Sequence, residues 1–176
     1  MTAVLMIVAP QDFSDPEYFV PKKAFEEAGF EVATASVRAG PVQSNKGTIV
    51  TADRGIQMCD PKDYQAVLLV GGKGAREFFD DPALHRFLQE FHATGGLTTA
   101  ICVSPTTLAN AGLLQGKKAT VWNESGLIEN LEAKGAQYTG LSMTRDDTIA
   151  TANSPEAAGE LAEEILNYFK EKTYAQ

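Results

Sequence analysis

Residues 97–111 read LTTAICVSPTTLANA, and the order of residue types within them decides the fold class. Leu97 to Ile101 is β-branched and apolar, the pattern of a short strand buried on both faces. Thr106 to Ala111 follows in a helix-forming pattern. Between them lies Cys102-Val103-Ser104-Pro105. Ser104 suits an N-cap, and Pro105 suits the first helical turn, where its missing N–H would be unpaired anyway. Cys102 is therefore expected on a tight strand-to-helix turn, facing the positive end of a helix dipole, as the cysteine version of a nucleophile elbow. A thiol so placed is expected to lose its proton more easily, and the thiolate is the nucleophile.

The same alternation extends in both directions from this turn. Val4 to Ala9 is a continuous apolar run, and Asp15-Pro16 opens a helix that ends at Gly29. Phe30 to Ala35 reads as the next strand. Val37 to Met58 is richer in turn residues, and Thr48 to Ala52 suggests a small hairpin. Ala66 to Val70 is another buried strand, closed by Gly71-Gly72. Asp81-Pro82 starts a helix with Leu84, Phe87, Leu88 and Phe91 on one face. Downstream, Ala119 to Trp122 reads as a strand, and a helix with Leu127, Ile128 and Leu131 inward ends at Gly135. Leu141 to Thr144 and Thr148 to Ala152 flank the turn Asp146-Asp147. The last helix opens at Ser154-Pro155-Glu156 and runs through Leu161, Ile165, Leu166 and Phe169. Strands separated by helices predict an α/β fold, a mostly parallel central sheet covered on both faces in three layers. In such sheets the ligand crevice lies beyond the carboxyl ends of the strands, where both Cys102 and Gly71-Gly72 fall.

With 176 residues the chain fits one domain, residues 1–176, without internal repeat or linker. The net charge of -8 supplies no basic stripe to neutralise phosphates, which argues against nucleic acid as a main partner. The apolar start, Ala3 to Ala9, is too short to span a membrane and lacks the basic flank of a signal peptide. A cytoplasmic location is expected, with Cys59 and Cys102 as free thiols.

Three groups are expected to converge at the strand ends. Cys102 is the first. Gly71 and Gly72 are the second, because a missing Cβ lets backbone N–H groups approach a ligand oxygen as an oxyanion hole requires. Glu17 is the third: Pro21, four residues on, cannot donate the helical bond to the Glu17 carbonyl, and the resulting bend turns the carboxylate toward the strand ends. Each has a plainer reading as well. A free Cys can be a small buried hydrophobe, Gly-Gly a simple turn, and Glu17 a complement to the helix dipole.

The run AICVSPTTLANAGLLQGKKATVW, with VLLVGGKGA upstream, Glu17 four residues before Pro21 and ANSPEAAGELAEEI at the end, resembles the ThiJ/PfpI superfamily over nearly the whole chain. This flavodoxin-like group, related in fold to the class I glutamine amidotransferases, includes the Parkinson-associated deglycase, bacterial stress proteins and archaeal intracellular peptidases. The resemblance implies that Cys102 is the nucleophile, that Glu17 hydrogen-bonds it, and that Gly71, Gly72 and the Val103 amide form the oxyanion pocket. It also implies a homodimer or larger assembly.

Two departures bear on the activity. The peptidase branch carries a histidine directly after the cysteine, where this chain has Val103; the deglycase branch carries one at the end of the next strand, where this chain has Trp122. Trp122 reads equally as a pocket wall or as core filling. The two histidines, His85 and His92, share the Pro82 to Thr94 helix about 10 Å apart along its axis, too far to chelate one metal. They read as solvated. Neither a metal site nor a cofactor is expected. Lys73 and Arg76 follow the Gly-Gly turn, where they could attract anions, though a solvated loop is the favoured reading; Cys59 reads as a bystander thiol. The resemblance then implies a cofactor-independent glyoxalase or deglycase acting on methylglyoxal or related reactive carbonyls and on glycated adducts. A stress protein that senses oxidants through Cys102 is the alternative. A peptidase or amidase comes third, since a Cys-His mechanism lacks a part.

Overall fold

A computed structural model describes residues 3–174 of the chain. Its elements run β1 (Ala3–Ile7), β2 (Gln11–Phe13), α1 (Asp15–Glu27), β3 (Glu31–Ser36), β4 (Gly40–Ser44), β5 (Ile49–Ala52), β6 (Arg54–Gly55) and β7 (Ala66–Leu69). A 3-10 segment, Lys73–Phe78, precedes α2 (Pro82–Ala93), β8 (Leu97–Ile101) and α3 (Pro105–Asn110). The rest is β9 (Lys118–Ala119), α4 (Ser125–Ala133), β10 (Gln137–Tyr138), β11 (Met143–Asp146), β12 (Ile149–Ala152) and α5 (Ala158–Tyr174).

Seven strands form the central sheet in the order β11-β12-β8-β7-β1-β3-β6. Every neighbouring pair is parallel except the β11–β12 edge, so the expected α/β architecture is present. The inner strands β7 and β8 are buried at every residue, which is why their sequences are continuous apolar and β-branched runs rather than alternations. Helices α1 and α5 pack against each other and the sheet; α2 and α3 pack against each other and β8. Tyr18, Phe25, Phe91, Leu68 and Ile101 are among the largest fully buried side chains. Among the described residues no helix is long and apolar enough to cross a membrane.

Helix ends follow the chemistry of their sequences. The Asp81 side chain accepts from the Leu84 amide, capping α2. Gly29 takes φ +83° just past α1, a conformation that suits a residue without Cβ. The hairpin expected at Thr48 to Ala52 is the antiparallel β4–β5 pair. The turn at Asp146-Asp147 joins β11 and β12, with Asp147 at φ +57°.

Two expectations need correction. The strand read over Ala119 to Trp122 is confined to Lys118–Ala119, which pairs with β10 in a separate two-stranded sheet. Beyond Ala119 the backbone turns to other partners: the Thr120 amide donates to Thr151 Oγ1 and the Trp122 amide to the Cys102 carbonyl. The last helix begins as a 3-10 turn, Pro155–Ala157, before α5.

Register places the site. Leu69 pairs with Ala100 across β7 and β8, so Gly71 and Cys102 each stand two residues past the same rung. Ile7 pairs with Leu69 from the other side, which brings the chain after β1, and with it the start of α1, to the same edge.

Candidate functional site

Cys102 occupies the turn between β8 and α3 with φ +62°, in the left-handed region that a residue with a Cβ rarely adopts. Such strain persists only where the surroundings over-determine it. Here the Cys102 amide donates to the Ala152 carbonyl at 2.9 Å, and its carbonyl accepts from the Trp122 amide at 2.8 Å. Ser104 holds the turn from a third side, though not as an N-cap. It has no capping bond; its buried hydroxyl donates to the Val70 carbonyl at 3.0 Å, tying the Cys102 turn to the Gly71-Gly72 turn.

Glu17 lies in the first turn of α1 and is completely buried, a rare state for a carboxyl group. The Gly71 amide donates to Glu17 Oε2 at 2.7 Å, while Oε1 is buried with no bonded partner. Glycine at 71 is a steric requirement. A Cβ there would lie 2.5 Å from Glu17 Oε2 and 2.7 Å from both the Cys102 Cβ and the Ile101 carbonyl oxygen. Gly72 has φ +102°, and a Cβ on it would strike the backbone of Asp12 and Ser14. The expectation that Gly71 and Gly72 both offer amides to a ligand oxygen is thus half corrected. Gly71 spends its N–H on Glu17; the amides that act on the Cys102 thiol, each favouring its charged form, are those of Gly72 and Val103.

The thiol and the carboxyl are close neighbours with no hydrogen bond formed between them. Each shifts the other's proton affinity, yet Oε1 stays unbonded. Catalytic contacts are often long before substrate arrives. Burial is the largest influence on both groups, because each loses hydration in its charged form. It pushes Glu17 up to about 7, against the lowering effects of the Gly71 amide, Cys102 and Ser14. Burial, followed by the charge of Glu17, pushes Cys102 up to about 12, although the Gly72 and Val103 amides act the other way.

The expected depressed thiol pKa is therefore overturned. The helix behind the turn has six residues and a small dipole, whereas Cys102 is only 8% exposed. Burial wins. Each group's charge raises the cost of charging the other, so the two titrate as a coupled pair.

The other candidates separate clearly. Val103 is buried and contributes its amide. Trp122 is 40% exposed, which excludes the core-filling reading, and its backbone touches the cysteine. His85 and His92 are half-buried rather than freely solvated. His85 Nε2 meets the Phe79 carbonyl at 2.9 Å, and burial lowers the pKa of His92. Both lie on α2, away from the groups that contact Cys102. Cys59 is half-buried, with its thiol pushed up by burial, and it lines a cavity of about 530 Å³ with Arg86, Phe87 and Glu90 that does not include Cys102. Among the described residues no group of three His, Cys, Asp or Glu side chains is placed to hold a metal.

One feature escaped the sequence reading. Arg76, four residues past Gly72, makes a two-pronged ion pair with Glu124, at 2.6 and 3.4 Å, two residues past Trp122. Nothing in a separation of 48 residues signals such a partnership.

Comparison with known proteins agrees with the fold. Residues 2–168 match the DJ-1/PfpI family, and the chain belongs to that family. An uncharacterised protein of Methanocaldococcus jannaschii is 38% identical over 164 residues, 93% of this chain and 80% of the relative. A Bacillus subtilis protein under a provisional cysteine-protease name is 29% identical over 97% of this chain and all of its own length. The Escherichia coli protein/nucleic acid deglycase 2 is 29% identical over 89% of this chain and 91% of its own. In structure, a ThiJ/PfpI domain protein from Brachyspira murdochii superposes with a TM-score of 0.92 at 24% identity, covering 96% of both chains.

Proposed function

We propose that this member of the DJ-1/PfpI family is a cofactor-independent enzyme of the glyoxalase or deglycase type, with Cys102 as nucleophile and Glu17 as the group that moves protons. The observation that carries this reading is the buried Glu17 carboxyl, raised to about 7 and fixed by the Gly71 amide against the Cys102 turn. A carboxyl group with a pKa near the working pH both takes and returns protons efficiently. The deglycase name of one relative supports the substrate class, reactive carbonyls and glycated adducts.

On methylglyoxal the steps balance as follows. The Cys102 sulfur bonds to the aldehyde carbon as its proton passes to Glu17, so no standing thiolate is needed. The former aldehyde oxygen, held by the Gly72 and Val103 amides, takes that proton from Glu17, giving a hemithioacetal and leaving Glu17 free to act as base. Glu17 then removes the proton from that carbon and the electron pair moves to the neighbouring carbonyl, giving an enediolate; the first carbon's hydroxyl proton passes to the second carbon's oxygen, and Glu17 returns its proton to the second carbon, leaving a thioester. Water cleaves the thioester and releases lactate with the free thiol. The net reaction adds one water to one methylglyoxal.

Lactate formation by wild type and by Cys102→Ser tests the reading. Wild type is expected to form lactate and the variant to lose at least a hundredfold; equal rates would refute it. A second reading, oxidant sensing, draws on the unbonded Glu17 Oε1, which when protonated would donate to an oxygen of a Cys102 sulfinate. Selective sulfinate at Cys102 under mild peroxide, with no lactate formed, would favour it. A peptidase is disfavoured by Val103 at the position where that branch carries histidine. Assembly as a homodimer or larger oligomer belongs to the same proposal, and light scattering at micromolar concentration would refute it by finding an 18.9 kDa monomer.

A further inference from the structure

Arg76 and Glu124 close a bridge between two segments that each touch Cys102. On one side the Gly71-Gly72 turn lies against Cys102, its Gly71 so close that a Cβ there would meet the Cys102 Cβ at 2.7 Å, and Arg76 follows within the 3-10 segment Lys73–Phe78. Four residues at about 2 Å of rise each put the Arg76 backbone roughly 8 Å from Gly72. On the other side the Trp122 amide is bonded to the Cys102 carbonyl, and Glu124 follows two residues later. The ion pair is thus tethered from both ends to the immediate neighbours of the thiol.

Its chemistry is that of carboxylate recognition. The Arg76 guanidinium reaches both oxygens of Glu124, the fork geometry that a planar carboxylate fits. The guanidinium also stands 5.8 Å over the Phe79 ring, which restricts where it can go. Both partners are more than 40% exposed, so the pair is weak and its carboxylate exchangeable. Lys73, next to Gly72, is exposed and has no acidic partner among the described residues. Against a net charge of -8, with Glu17 buried below and Glu156 close enough to act on it, a cationic rim here runs counter to the rest of the chain.

We propose that Arg76 is a carboxylate-binding residue at the mouth of the Cys102 site, that Glu124 occupies it in the empty protein, and that the preferred ligands are carbonyl compounds bearing a carboxylate several bonds from the reacting carbon. The ligand's carboxylate displaces that of Glu124 and lays its other end toward the thiol. This rests on the reading of Cys102 as the reacting group, but the binding step is separable from the reaction.

Trp122 supplies the readout, being the single tryptophan of the chain, partly exposed and two residues from Glu124. N-acetyl-β-alanine, an unreactive carboxylate, and its uncharged primary amide are titrated into wild type, Glu124→Gln and Arg76→Gln while Trp122 fluorescence is recorded. The carboxylate is expected to produce a saturable change in wild type, with the amide binding at least threefold more weakly. Glu124→Gln removes the internal competitor and should tighten the carboxylate roughly two- to fivefold. Arg76→Gln should abolish the preference for carboxylate over amide. No saturable response to the carboxylate in wild type, an equal response to both compounds, or a preference that survives Arg76→Gln would overturn the proposal. Because no turnover is measured, lack of lactate formation would refute the enzymatic reading without touching this one.

Discussion

Glu17→Gln isolates the energetic consequence of burying a titrating carboxyl. In the folded chain Glu17 titrates near 7, against an ordinary value of 4.5. Below 4.5 both states are protonated and the residue makes no demand. Between 4.5 and 7 the unfolded chain releases the proton while the folded chain keeps it, so stability falls as pH rises, and the loss levels off above 7. Linkage puts the deficit at about 3 kcal/mol near pH 8 and about 1 kcal/mol near pH 5. Glutamine does not titrate, and its amide oxygen can still accept from Gly71. The variant should therefore gain about 2–3 kcal/mol over wild type between those two pH values, whatever constant offset the altered packing adds. For a chain of this length that is a Tm difference widening by roughly 4–10 °C. Urea unfolding of both proteins at each pH and equal protein concentration measures it. Parallel stability curves would mean that Glu17 is ionised in the folded state throughout, and the proton-shuttling role would fall with that result. The same variant is expected to lose lactate formation almost as fully as Cys102→Ser, because groups that act as one unit fail together.

The remaining predictions concern the frame around the pair. Gly71→Ala sets a methyl 2.5 Å from Glu17 Oε2 and 2.7 Å from the Cys102 Cβ; it should cost about 1–3 kcal/mol in urea unfolding and abolish activity, and an unchanged midpoint would contradict the packing. Ser104→Ala removes the buried bond to the Val70 carbonyl and should cost about 1–2 kcal/mol, with a shifted pH dependence of Cys102 alkylation as the sign that the two turns have come apart. Replacing His85 and His92 together by Gln should leave the rate within about twofold, since neither contacts the thiol or its partners; a loss beyond tenfold would place a histidine in the proton path.

The fold was legible because its physics is local and repetitive. Strands β7 and β8 announce themselves as apolar, β-branched runs, and Asp81-Pro82, Ser104-Pro105 and Ser154-Pro155 each mark a helical start that the structure contains. Where the sequence misled, a tertiary partner had intervened. Thr120 and Trp122 have strand-like side chains, but their amides go to Thr151 Oγ1 and the Cys102 carbonyl, and a ladder never forms. Ser104 has the identity of an N-cap, yet its hydroxyl finds a better-placed carbonyl 34 residues upstream. Such choices depend on what lies across the sheet, which no window of neighbouring residues contains.

The site divides the same way, between what position confers and what burial confers. That Cys102 and the two glycines lie at the carboxyl edge of the sheet was readable from the strand-to-turn pattern, whereas the strand order and register that bring Glu17 to them come from the structure. The protonation of the meeting groups is not readable, because two local arguments point in opposite directions and only burial decides between them. A helix start favours a thiolate; removing the sulfur from water disfavours it, and with six residues behind the turn and 8% of the surface left, the second effect dominates. A thiol held near 12 can attack only if its proton leaves as the bond forms, so an acceptor within reach is a requirement of the site. On the proposed reading, with Val103 and Trp122 at the positions where the resemblance would put a histidine, that acceptor is Glu17. The steric demand for glycine at 71, the amide that glycine spends on Oε2 and the carboxyl pKa near 7 are then consequences of one arrangement: a carboxyl group buried against a thiol, with no room left for a side chain between them.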